Sequence, residues 1–109
     1  MTKYNLPSNP NFTMSVVPDG LTYNMTFKYI RDLMYVTIFD IEGRRISGPV
    51  RVCEGEWLIP HDAYNYEGAG NFMVVEETRQ YPVFDKFDTS CELRYYSKDE
   101  IDAGAATSE

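Results

Sequence analysis

The sequence predicts an all-β chain: an antiparallel β-sandwich or partly closed β-barrel of about seven short strands, with at most one short C-terminal helical turn. Three observations carry this. Aromatic residues make up 15% of the chain, with nine Tyr and six Phe, and stiff flat rings pack well on a pleated surface. Apolar and polar residues alternate at strand period, most cleanly where Leu21, Tyr23, Met25, Phe27 and Tyr29 share one face. Turn residues recur at roughly the 8–12-residue spacing of a sandwich or barrel. No helical-period segment longer than two turns competes with them.

Residues 1–11 hold Pro7 and Pro10 among several Asn and Ser and read as a flexible N-terminal arm. A first strand over residues 12–17 ends at Pro18-Asp19-Gly20, where proline fixes φ and glycine supplies a positive φ. The alternating strand 21–29 follows, then a short link through Arg31-Asp32. Residues 33–41 are apolar on both faces: Leu33, Tyr35, Phe39 and Ile41 on one, Met34, Val36 and Ile38 on the other. Such a strand is central or has its second face covered. Asp40-Ile41-Glu42-Gly43 closes a hairpin. The return strand, residues 44–53, is interrupted by Gly48-Pro49, which marks a sheet edge or a bulge because proline cannot donate to the ladder. Glu54-Gly55-Glu56 is a tight turn before a short strand at residues 57–59. Residues 60–70 lack strand character, and the last strands span residues 72–77 and 89–96. Ser97 followed by Glu100 has capping-box form. The predicted division is an arm at 1–11, a single all-β domain at 12–101 and a mobile acidic tail at 102–109.

The chain has 109 residues, enough for one domain, and a formal net charge of −7. Phosphate is repelled by such a chain, so nucleic acid is not an expected partner. Arg44, Arg45 and Arg51 form the only basic cluster and read most simply as a solvated hairpin face. No segment resembles a signal peptide or a membrane span. Cys53 and Cys91 are therefore expected as free thiols in a reducing cytoplasm, with a Cys53–Cys91 disulfide open only if their strands are neighbours. Two glycosylation sequons, at Asn11 and Asn24, carry no meaning without secretion.

Candidates for chemistry are sparse. His61, the only histidine, adjoins Asp62 and suggests an acid–base pair, but adjacent residues rarely face each other and no nucleophile motif accompanies them. One histidine and two distant cysteines do not make a zinc site. Glu54 with Glu56 flank a turn, Glu76 and Glu77 point to opposite faces, and Asp85 with Asp88 lack the density of a calcium loop. Gly68-Ala69-Gly70 precedes a strand and lacks the lysine of a phosphate loop, so it reads as a tight corner. No catalytic residue, cofactor or metal is expected.

The aromatic surplus points elsewhere. Tyr4, Tyr64, Tyr66, Tyr81, Phe84, Tyr95 and Tyr96 lie in loops, near ends or on strands whose other face is occupied. Exposed tyrosines suit interfaces, covering much area at little entropic cost. Tyr64, Tyr66, Tyr81, Phe84 and Tyr96 are the candidate interface residues.

The order of features is itself distinctive: an alternating strand, an apolar hairpin closed by an acid–glycine turn, Gly48-Pro49-Val50, and a Pro60-containing loop with the glycine corner. A strand at residues 72–75, the connection 82–88 and Leu93-Arg94-Tyr95-Tyr96 before an acidic end complete it. Over roughly residues 12–101 this resembles the small baseplate plug proteins of contractile-tailed phages and prophages. The resemblance implies an all-β virion protein without catalysis, made in the host cytoplasm and placed in the tail baseplate near its axis. Hub, spike or tube-initiating proteins are the implied partners, with a homo-oligomer in the particle open. By position it assigns Gly68 and Gly70 to the glycine corner, Asp85 and Phe87 to the connection, and Leu93 and Tyr95 to the closing strand. Asp88 departs from the pattern, which often has a small residue there. Beside this stand a carbohydrate- or peptide-binding module using Trp57 and the tyrosines of residues 63–66, and an enzyme centred on His61.

Overall fold

The structure is a computed structural model; it describes residues 1–59, 70–87 and 89–102. Among the described residues seven strands form two antiparallel sheets and no closed barrel. One sheet has four strands, β2 (Asn11–Val16), β3 (Tyr23–Ile30), β4 (Leu33–Phe39) and β5 (Arg45–Arg51), in sequential order. The other has three, with β7 (Cys91–Tyr96) between β1 (Thr2–Tyr4) and β6 (Asn71–Glu76). A short helix α1 (Lys98–Asp102) follows β7.

The turns follow the expected chemistry. Pro18–Gly20 is a 3-10 turn in which the Leu21 amide donates to the Pro18 carbonyl and Gly20 takes φ +81°. In the β4–β5 hairpin Asp40 Oδ1 accepts from the amides of Glu42 and Arg44, both at 2.9 Å, while Gly43 takes φ +84°. The β3–β4 link is tighter than glycine-free sequence suggests: Arg31 and Asp32 both sit at positive φ, 51° and 68°, the twist a two-residue hairpin demands. Asp32 accepts a hydrogen bond from the Tyr29 hydroxyl. At the C-terminus the Ser97 amide donates to Glu100 and the Glu100 amide donates to Ser97 Oγ, a closed capping box at the start of α1.

Gly48-Pro49 lies where β5, an edge strand, slips twice against β4. Extra residues on β5 turn both Ile46 and Ser47 inward, where simple alternation would bury only one.

Two expectations change. Residues 1–11 were expected as an arm, but Thr2–Tyr4 pair with Tyr95 to Leu93 of β7 and Leu6 is fully buried; β7 would otherwise present an unpaired edge. Residues 57–59 do not form a strand. They lie beside β6 through an isolated Trp57–Met73 bridge, a Leu58 amide bond to the Phe72 carbonyl, and the Asn71 side chain, which bonds both amide and carbonyl of Ile59. The total remains seven because one short strand is lost and another gained.

The core lies between the sheets. Tyr23, Met25 and Phe27 of β3 and Met34, Val36 and Ile38 of β4 face Phe72, Val74, Leu93 and Tyr95. Tyr23 meets Phe72 edge-on with ring centroids 5.1 Å apart, and Phe72 lies 5.0 Å from Tyr95. Gly70 is buried against this group: a Cβ there would come within 2.2 Å of the Tyr95 hydroxyl and 2.4 Å of the Tyr96 carbonyl. Cys53 and Cys91 are free thiols, and burial pushes Cys91 up to about 11, which makes it unreactive at neutral pH.

Among the described residues Glu76 is the one buried carboxylate, 2% exposed. Its Oε1 accepts from the Thr78 hydroxyl and from the amides of Thr78 and Gln80, fixing the turn after β6. The Thr78 hydroxyl first, then the Gln80 amide and Ser90, hold its pKa down to about 2 against an ordinary 4.5. A lowered folded pKa means stability that is complete above the unfolded value and is lost as pH falls toward the folded one. Glu76→Gln should therefore lower the thermal midpoint at pH 7 and flatten the loss of stability between about pH 4.5 and pH 2. Thermal melts across that window decide it; a variant with the parent's pH profile would remove the assignment.

A candidate protein-binding face

The two sheets are finished differently on their outer sides. On the three-stranded sheet Met73 and Tyr96 point outward yet are 4% and 6% exposed. Trp57 reaches over them, its ring edge-to-face with Tyr96 at 5.7 Å. The charges there are balanced, with Glu92 paired to both Lys3 and Arg94. Around Met73 and Tyr96 this side is covered from within the chain, and a smaller pocket lies open beyond them, lined by Val75, Glu92 and Arg94 among others.

No other described residue covers the outer side of the four-stranded sheet. Strand register places Thr13, Thr26 and Thr37 directly opposite one another across β2, β3 and β4, with Thr13 and Thr26 hydroxyls 3.5 Å apart. Short side chains in one row make a floor. Larger ones flank it: Asn24, Phe39 and Arg45 are aligned on one side, Lys28, Tyr35 and Arg51 on the other. Ile30, 47% exposed, extends the second wall, and Pro49 closes the β5 end. The result is a groove of about 450 Å³. The two-faced apolar pattern of residues 33–41 is thus real: Met34, Val36 and Ile38 build the core, while Tyr35 and Phe39 stay half-exposed outside.

No Asp or Glu occurs in any strand of this sheet, although the chain has 17 acids against 10 bases. The expected basic cluster divides. Arg44 stays on the hairpin, paired to Asp40 and Glu42, while strand register puts Arg45 and Arg51 on the same outer face as Lys28, which lines the groove. Among the described residues Lys28 and Arg45 make no ion pair. Arg51 lies over the Tyr81 ring, 5.1 Å from its centroid, and its bond with Tyr81 raises its pKa further.

The residues singled out from sequence distribute as follows. Tyr81 borders the groove through Arg51 and also completes the sheet: its hydroxyl accepts from the Met34 amide at 3.0 Å, beyond the point where β5 ends. Phe84 is half-buried on the core side, edge-on to Tyr29 at 5.0 Å. Tyr96 lies beneath Trp57, which leaves it little surface; Tyr95 is a core residue and Tyr4 packs half-buried against the core. Phe87 and Leu93 are fully buried, and Asp85 is exposed in the 3-10 turn Phe84–Lys86. Tyr64, Tyr66, His61, Gly68 and Asp88 lie outside the described residues. Sequence reading passed over the threonine row and Ile30; only the period-two pattern of β3 and β4, read together with register, brings them to one face. Among the described residues no group of three or more His, Cys, Asp or Glu could hold a metal ion, and no helix is long and apolar enough to cross a membrane.

A family model described as Cyanophage baseplate Pam3 plug gp18 matches residues 1–98. The chain belongs to this phage baseplate plug family. The match takes in residues 1–11, which the sequence resemblance left out, and this agrees with the pairing of β1 to β7. Membership in the plug family indicates a structural protein of a phage tail baseplate. No curated protein matches the chain.

Proposed function

We propose that this chain is a plug-like structural subunit near the axis of a contractile-tail baseplate. It is held there by contacts with hub, spike or tube-initiating proteins and present in several copies around that axis. The family match over residues 1–98 carries the reading. The open groove supports it, since a small body clasped by neighbours needs apolar surface that its own chain leaves uncovered. A structural role also suits the buried positions of Phe87, Leu93 and Tyr95, which shape the body instead of presenting chemistry.

Mass spectrometry of washed tail particles from the source phage, with cryo-electron microscopy of their baseplates, tests the reading. The chain should be a stoichiometric component lying close to the axis. Its absence from washed baseplates, or density only at the periphery, would remove the proposal.

A further inference from the structure

We infer that the outer face of the four-stranded sheet is a docking site for an acidic, apolar-bearing segment of another virion protein, gripped by Lys28 and Arg45 on either side of the threonine floor. The inference rests on the baseplate reading and adds to it the surface used and the chemistry of the partner.

Charge decides the occupant. The chain is net acidic, yet the four strands of this sheet carry Lys28, Arg45 and Arg51 and no carboxylate. Opposite-sign surfaces steer association and set register, so a partner for this face carries carboxylates. The spacing narrows it further. Arg45 is aligned with Phe39 and Arg51 with Tyr35, and these pairs stand on opposite sides of the Thr26–Thr37 row. A segment lying in the groove would place apolar side chains against Tyr35, Phe39 and Ile30 and its acids toward the cations at either wall. Aromatic and arginine side chains at such a centre are the residue types that dominate binding energy.

A second copy of this chain is the occupant that the test must separate from a foreign segment: Asp19 stands in the turn between the exposed Val17 and Leu21, whereas Asp40 and Glu42 beside the exposed Ile41 are already paired to Arg44. Nucleic acid fits poorly. Three cations set among apolar walls offer few phosphate contacts, and the remaining charge repels the backbone.

The test uses particles. Full-length variants are supplied in trans to a phage lacking the gene, and copies per tail are counted by quantitative mass spectrometry. The Lys28→Glu, Arg45→Glu double variant should fall at least tenfold in copies per tail, while an Arg79→Glu, Lys98→Glu control with the same change in net charge stays at the parent level. Thermal melts confirm that both variants are folded. Independently of folding, a benzophenone cross-linker carried at position 30 in otherwise unchanged chain should capture a segment of another virion protein that contains Asp or Glu beside apolar residues. Double-variant incorporation at the parent level would overturn the inference. So would cross-links to a second copy of the chain, to nucleic acid or to segments without carboxylates, or no cross-link in tails that contain the chain. In each of those cases the baseplate reading survives. Absence of the unmodified chain from tails would instead remove the baseplate reading, and the inference with it.

Discussion

Gly48→Ala should lower the unfolding free energy by about 3–5 kcal/mol, combining the cost of a forbidden backbone region with that of an overpacked site. Gly48 sits at φ +103°, a conformation side chains rarely adopt. A Cβ there would lie 2.4 Å from the Val36 carbonyl oxygen and 2.9 Å from the Thr37 Cα. Both obstacles are backbone, so no rotamer change relieves them. The only escape is to move β5 away from β4, which breaks the ladder between Val36–Val50 and Ile38–Ser47 and uncovers Ile46 and Val52. Urea denaturation followed by circular dichroism measures the loss. A cost below about 1 kcal/mol, the level of an ordinary surface substitution, would mean that this edge strand shifts freely. The same displacement moves Arg45, Pro49 and Arg51, so docking on the groove should weaken along with stability.

Gly48 also marks the boundary between what sequence made legible and what it did not. The Gly48-Pro49 pair announced an edge or a bulge, and β5 is both. Glycine turns at Gly20, Gly43 and Gly55 and the Ser97–Glu100 box are local devices whose chemistry needs no tertiary knowledge, and each formed as expected. β1 was hidden because three residues cannot display a period; its strand exists only because β7 offers an edge. Residues 57–59 misled in the opposite direction: an apolar run looks like a strand, but the Asn71 side chain takes over the ladder at Ile59. Tyr95 and Tyr96 are consecutive and both buried, against alternation, because Trp57 folds back over one side of its sheet. The groove needed register above all. Thr13, Thr26 and Thr37 are separated by 11 or more positions in sequence, and only strand pairing puts them in one row. The absence of carboxylates from the sheet, by contrast, was readable once the strand bounds were known.

Phe87→Ala should cost about 3–5 kcal/mol, the usual range for emptying a buried phenylalanine site, and lower the thermal midpoint by roughly 12–20 °C in a domain of this size. Phe87 belongs to no strand. It follows the 3-10 turn Phe84–Lys86 and is fully buried. Its ring stands edge-on to Phe12 and Phe27, both at 6.1 Å, while those two stack on each other at 4.7 Å. Three rings thus join β2, β3 and the connection before β7, closing the end of the sandwich opposite the Tyr23–Phe72–Tyr95 group. Phe27 cannot follow a lost ring inward, being held between Phe12 of β2 and Val36 of β4. Phe12 sits on an edge strand and can, so some of the cavity should close and the loss should stop short of the upper limit. Phe87→Leu, which refills most of the volume, should recover more than half of it. Because Phe87 lies on the core side of the sheet and the groove on the other, the alanine variant should dock normally at temperatures where it remains folded. A variant that keeps its stability but loses incorporation into tails would reverse that assignment, making Phe87 a contact residue and not a wedge between the sheets.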